Sequence, residues 1–142
     1  MKIRQLSVFL ENRVGRLDVL IKLLGDNNIN IKAISVADTE SFGIIRLIVD
    51  RLEEAAALLL REHFVCKLNN VTVLAVKDEP GGLAEVLTLI HQSGVNIEYM
   101  YAIAAPRDGR PLMVFRFGED GEKAIRALAS AGVDILDEGR LF

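Results

Sequence analysis

One cysteine, Cys66, is all the chain carries, so an internal disulfide is impossible and a reducing compartment is expected. Positive charge is not in excess. The formal net charge is −3, which argues against a general binder of phosphate backbones. No apolar run approaches the roughly 20 residues that span a bilayer. Met1-Lys2-Ile3-Arg4-Gln5 begins a strand-like run and not a signal peptide. These absences predict a soluble, cytoplasmic protein with neither membrane nor nucleic acid as partner. His63 and His91 lie far apart, with no cysteine or carboxylate at metal-ligand spacing, so no metal site is expected and nothing calls for a cofactor. Catalysis needs a nucleophile or base with a partner that tunes it. No Ser-His, Cys-His or paired-carboxylate grouping recurs in the chain, and Asp78-Glu79 is a carboxylate pair by sequence alone. The expectation is a protein that is not an enzyme and has no catalytic residues.

What is present is a repeat. The 142 residues suffice for one ordinary domain or two small ones, and a hydrophobic share of 51% supplies a core and argues against disorder. An offset of 66 residues lays Asn12-Arg13-Val14-Gly15-Arg16-Leu17 on Asp78-Glu79-Pro80-Gly81-Gly82-Leu83, and Asn30-Ile31 on Asn96-Ile97. After the hairpin of each half the offset becomes 68, and Ile45, Leu47 and Val49 fall on Met113, Phe115 and Phe117. A repeat that survives a loop insertion is a repeat of structure. The join lies near Asn69-Asn70, giving two expected domains, 1–69 and 70–142, with almost no linker.

Each half reads β-α-β-β-α-β. In the first, Ile3–Leu10 is a strand with Leu6, Val8 and Leu10 on one face, followed by a turn at Glu11–Val14. Gly15–Asn27 is a helix with the stripe Leu17, Leu20, Ile21 and Leu24. Ile29–Ala37 and Gly43–Asp50 are strands around a polar turn at Asp38–Phe42. Leu52–His63 is a helix and Phe64–Leu68 a last strand. The second half repeats this with strands at Val71–Val76, Val95–Ala105, Leu112–Phe117 and Val133–Leu136, and helices at Gly82–Ser93 and Asp120–Ala131. Its hairpin turn is Pro106–Arg110, with Asp108-Gly109 supplying positive φ. The fold class is α+β: two tandem ferredoxin-like units, antiparallel sheets with helices on one face. The third strand of the first half is apolar on both faces, Ile45, Leu47 and Val49 on one and Ile44 and Ile48 on the other. The uncovered side must meet something, which predicts a homodimer.

The strand–turn–helix at Lys77–Leu83 suggests the chemistry. The first N–H groups of a helix have no partner inside it, and the helix dipole is positive there, so the turn suits an anion. Asp78 offers the opposite charge beside it. An anion cradle next to a carboxylate fits a ligand carrying both charges, such as a free amino acid. Asp78 and Asn12 are candidates for the ligand's ammonium, and an ionised acceptor makes the stronger bond. The plain alternative is a side chain capping its own turn. The backbones of Gly15-Arg16-Leu17 and Gly81-Gly82-Leu83 are candidates for the carboxylate, against a reading as tight βα turns and nothing more. Asn30 and Asn96 are either edge hydrogen bonds of the fold or ligand contacts. Tyr99 and Tyr101 share one face of their strand and either wall a pocket or pack at a sheet interface.

These motifs resemble the ACT domain, twice. A turn of the form Asn/Asp-x-Pro-Gly-x-Leu, then a helix, then Asn-Ile at the second strand is matched in full by Asp78-Glu79-Pro80-Gly81-Gly82-Leu83 with Asn96-Ile97. Asn12-Arg13-Val14-Gly15-Arg16-Leu17 with Asn30-Ile31 matches it with valine where proline is usual. The first turn also resembles the serine-binding turn in the ACT domain of phosphoglycerate dehydrogenase, with leucine at position 10 where that family has histidine. The resemblance implies a regulatory module that binds a free amino acid where the turn of one unit meets the second strand of a neighbouring one, and that signals to a regulated protein the sequence does not name. The alternative within the resemblance is an oligomerisation module with no ligand. An RNA-recognition module shares the element order, and Leu112–Phe117 has two phenylalanines on one face and an arginine. It lacks the Gly-aromatic-Gly core of that motif.

Overall fold

The computed structural model describes residues 2–38 and 42–142, and side chains throughout these except Asp38 and residues 104–107. Two compact units divide the chain. One is Arg4–Asn69; the other is Asn70–Phe142, with Lys2 and Ile3 added from the start of the chain. The sequence reading gave residues 2 and 3 to the first half. The division falls one residue into the first strand, between Ile3 and Arg4, and no sequence pattern marks that.

In the N-terminal unit β1 (Ile3–Glu11), α1 (Arg16–Asp26), β2 (Ile31–Asp38), β3 (Phe42–Val49) and α2 (Leu52–Arg61) are followed by β4 (Val65–Ala75). Both strand pairs about β3 are antiparallel, with Leu6 opposite Leu47, Val8 opposite Ile45 and Ile34 opposite Leu47. The hydrogen-bonded order is β2-β3-β1-β4. The strand period of two sends Leu6, Val8 and Leu10 of β1 and Ile45, Leu47 and Val49 of β3 to one side. Leu20 and Leu24 of α1 and Ala55, Leu58 and Leu59 of α2 cover them, with Phe64, in one buried cluster. On the other side of β3 Ile48 is fully buried and Ile44 half-buried. The β2–β3 turn expected at Asp38–Phe42 lies largely outside the described residues. Its flanks are paired, Asp38 opposite Gly43.

β4 is one strand where the sequence reading has two, and the boundary between the units falls inside it. Asn69 and Asn70 keep an extended backbone between two runs of strand formers, so the strand is not interrupted. The C-terminal unit continues with α3 (Gly82–Gln92), β5 (Ile97–Arg107), β6 (Arg110–Phe117), α4 (Gly121–Ser130), β7 (Ile135–Leu136) and a short α5 (Glu138–Leu141). Its order is β7-β4-β6-β5, all antiparallel. Asp108 and Gly109 make the hairpin turn with φ of 52° and 72°. The core is Leu74 and Val76, Phe115 and Phe117, Val86 and Ile90, and Ala124 and Leu128. Phe115 and Phe117 stack with ring centroids 5.8 Å apart, buried under the helices. Neither ring is available to stack a base, which removes the support for an RNA-recognition reading.

Leu141 of the tail docks and is buried, while Phe142 stays 41% exposed. The dock is fixed by charge. The Arg140 guanidinium donates to both carboxylate oxygens of Asp134, and Arg110 donates to one of them at 2.8 Å. Arg140, and after it Arg110, hold the Asp134 carboxyl well below the usual carboxylate range. A carboxyl depressed by folding adds stability above its unfolded pKa and loses it as pH falls through the folded value. This clasp therefore holds at neutral pH and opens only in strong acid.

Candidate functional site

The two strand–helix turns are the same object. Gly15 has φ 85° and ψ −8°, and Gly81 has φ 86° and ψ −6°. Arg16 N–H donates to Arg13 C=O (3.3 Å), and Gly82 N–H to Glu79 C=O (3.0 Å). That is a type II turn, which needs φ > 0 at its third residue and favours proline at its second. Pro80-Gly81 satisfies both demands, and Val14-Gly15 the first. With nothing within 4 Å of a Cβ built on either glycine, the positive φ alone requires it.

The turn also commits some of the donors that the sequence reading offers to a ligand. The N–H groups of Arg16 and Gly82 close the turn, and those of Val19 and Glu85 bond the carbonyls of Gly15 and Gly81, each at 3.0 Å. Leu17 and Asp18 in α1, and Leu83 and Ala84 in α3, are left as open first-turn donors among the described residues. Gly82 has a second reason to be glycine. A Cβ there would stand 2.0 Å from the Lys77 carbonyl oxygen. What approaches it is the protein's own backbone, two residues past the end of β4.

Around these donors the side chains are exposed. Asn12, Arg13 and Val14 lie in solvent, as do Asp78, Glu79 and Pro80. The N-cap positions are Gly15 and Gly81, which have no side chain, and among the described residues the Asn12 and Asp78 side chains make no hydrogen bond. The Arg13 side chain turns back to Glu11 (2.8 Å), and Arg16 lies over the Phe64 ring, 5.3 Å from its centroid. Leu17, expected in the core stripe, is 39% exposed, and its counterpart Leu83 is 36% exposed. Leu17 sits one turn ahead of the buried Leu20, and Leu83 one turn ahead of the buried Val86, beside the open donors. Beside the second turn is a cavity of about 190 Å³ lined by one face of α3 (Gly82, Glu85, Val86, Leu89) together with Lys77, Arg110 and Asp134. Lys77 and Glu85 face each other across 3.5 Å at its rim. The sequence reading misses this cavity, although a lysine ahead of the turn and an acid in the first helical turn were visible signals.

The second-strand residues are elsewhere. Asn30-Ile31 and Asn96-Ile97 follow the far ends of α1 and α3, and a helix of 11 residues is ~16 Å long. Within one unit they do not meet the turn. Their backbones serve the fold: Asn30 C=O accepts from Asp50 N–H (3.2 Å), and Asn96 C=O from Gly118 N–H (2.8 Å). The Asn30 and Asn96 side chains are exposed, and Ile31 and Ile97 are half-buried. Tyr99 and Tyr101, opposite Arg116 and Val114, lie on the face away from the helices. Cys66 is half-buried, and burial raises its thiol pKa. Among the described residues no group of three or more His, Cys, Asp or Glu is placed to hold a metal, and no helix is long and apolar enough to cross a membrane.

Comparison with known proteins adds the family. A profile for an ACT domain pair matches residues 1–141. No curated protein matches the chain. A crystal structure of a Bacteroides thetaiotaomicron protein is similar over 99% of this chain and 96% of its own, at 35% identity and a TM-score of 0.91. The fold is also that of the regulatory subunit of aspartate kinase from Thermus thermophilus in its ligand-free form, at TM-score 0.63 and 20% identity over 90% of this chain and 91% of that one. The corresponding subunit from Thermus flavus gives 0.60 and 17% over 91% and 92%. With two ferredoxin-like units, a turn of one geometry in each, and a profile running nearly end to end, the chain belongs to the ACT domain pair family.

Proposed function

We propose that this ACT pair is a non-catalytic cytoplasmic sensor that binds a free amino acid at its strand–helix turns and passes the signal to a regulated protein. Each unit, 1–69 and 70–142, is read as one ACT module. The observation that carries the proposal is the pairing of two open helix N–H donors with an exposed acceptor that no cap bond engages, at both turns. The carboxylate is assigned to Leu83 and Ala84 N–H, and to Leu17 and Asp18 in the first unit. The ammonium is assigned to Asp78 and Asn12. Gly15, Arg16, Gly81 and Gly82 shape the turn; Arg13, Val14, Glu79 and Pro80 set its rim. The second turn is the stronger site, because its acceptor is ionised and a cavity opens beside it.

A thermal-shift screen of the purified protein against the twenty amino acids tests this. A ligand at about 100 times its dissociation constant stabilises the fold by about 2.7 kcal/mol, an easily read rise in Tm. One amino acid, or a few of related side chain, is expected to give it. No rise from any of the twenty would favour the alternative, an oligomerisation module without ligand.

The sensor is further proposed to be a homodimer, with Asn30, Ile31, Asn96 and Ile97 serving a ligand held by a second copy of the chain. Support comes from β2. It is the edge strand of its unit, and Ile34 and Val36, on the same side as core residues Leu47 and Ile45, are 43% and 48% exposed. Light scattering at micromolar concentration is expected to give twice the 15.7 kDa of one chain. A single monomer mass would sink the dimer.

A further inference from the structure

The C-terminal tail, Asp137–Phe142, is held to its unit at Leu141 and at Arg140. Leu141 is buried, while the other five residues of the tail are exposed. The Arg140 guanidinium donates to both carboxylate oxygens of Asp134. The tail's own bonds stay within it. The N–H groups of Arg140, Leu141 and Phe142 bond the carbonyls of Asp137 and Glu138, and the Asp137 side chain accepts from Arg140 N–H at 3.0 Å. These bonds shape α5 and do not fasten it.

Under the tail the packing is open. A cavity of about 300 Å³ is lined by Asp108, Arg110 and Leu136 of the body and by Gly139, Arg140 and Phe142 of the tail. The tail therefore arches over space instead of filling it. One buried leucine opposes the backbone freedom of six residues. Docking by Leu141 alone is close to balanced, and the clasp on Asp134 decides it. Asp134 is half-buried, so this pair is screened less than one in open solvent.

The clasp also reaches the cavity beside α3. Asp134 and Arg110 line that cavity together with Glu85, Val86 and Leu89, whereas Arg140 does not. Arg110 lines both spaces. The Asp134 backbone is fixed, since its C=O accepts from Ala75 N–H at 2.9 Å. Its side chain is positioned by two guanidiniums, and withdrawal of Arg140 leaves it to Arg110 alone.

We propose that the tail is a strap latched by Arg140 on Asp134, and that its release resets the Asp134 and Arg110 side chains in the wall of the α3 cavity. Tail docking and cavity occupancy are then linked in both directions. The bearing of that link on an amino acid at the second turn rests on the proposed function; the latch itself does not.

The test is heteronuclear NOE and shift mapping of the ¹⁵N-labelled full chain, with no ligand added. In the parent the Leu141 and Phe142 amides are expected to be as rigid as the body of the unit. In Arg140→Gln they are expected to lose that rigidity and behave as a flexible terminus, while the Glu85, Val86 and Leu89 amides shift. Leu141→Ser frees the tail at its other hold with Arg140 intact, and is expected to move the same three amides. Lys22→Gln, which removes one exposed positive charge in the other unit, is expected to change neither. A tail already flexible in the parent, or as rigid in Arg140→Gln as in the parent, overturns the latch. A freed tail with Glu85, Val86 and Leu89 unmoved in either variant overturns the link to the cavity.

Discussion

Gly82→Ala is expected to destabilise the C-terminal unit by about 3 kcal/mol or more. The added Cβ would lie 2.0 Å from the Lys77 carbonyl oxygen and 3.0 Å from its carbon. Both atoms are backbone, so no side chain can swing aside. Relief requires the backbone that follows β4 to part from the start of α3, which strains the Gly82 N–H bond to Glu79 and shifts Val86 and Ile90 within the core. Gly15→Ala is the control. It meets open space and suffers only from its φ of 85°, a cost of about 1–2 kcal/mol. Thermal unfolding is expected to show Gly82→Ala lower in Tm by about 10 °C or more, well beyond Gly15→Ala. Equal effects would mean that the carbonyl contact does not constrain position 82.

Asp78→Ala is the second large effect, on binding and not on stability. Asp78 is exposed and makes no cap bond, so its removal leaves the fold nearly untouched. A hydrogen bond to a charged partner is worth about 1.5–3 kcal/mol, so affinity for the amino acid should fall about ten- to a hundredfold. Asn12→Ala, removing a neutral acceptor, should cost less at the first turn. An Asp78→Ala variant that binds as well as the parent would remove Asp78 from the site.

How far the sequence shows this depends on what kind of fact is asked for. The repeat and the turn are local. Gly15 and Gly81 recur in register ahead of helix-period runs, and their positive φ follows from chemistry within four residues. The cores are periodic, and Leu6, Val8, Leu20 and Leu24 could be named without coordinates. Leu17 and Leu83 continue the helical stripe but sit before the sheet can cover them. Periodicity gives direction around a helix and not position along the sheet. Gly81-Gly82 reads as one glycine pair, yet the first answers to φ and the second to the Lys77 carbonyl. That distinction needs the backbone after β4 in place. The Arg110–Asp134–Arg140 clasp joins β6 to residues on either side of β7 and leaves no spacing signal.

The most direct measurement is a set of ¹H–¹⁵N spectra of the full chain with each of the twenty amino acids, followed at the Leu17, Asp18, Leu83 and Ala84 amides. The account predicts saturable shifts at Leu83 and Ala84 for at least one amino acid, collapsed by Asp78→Ala. Unmoved amides at all four positions with every amino acid at about 10 mM, far above the micromolar affinity range, would contradict it.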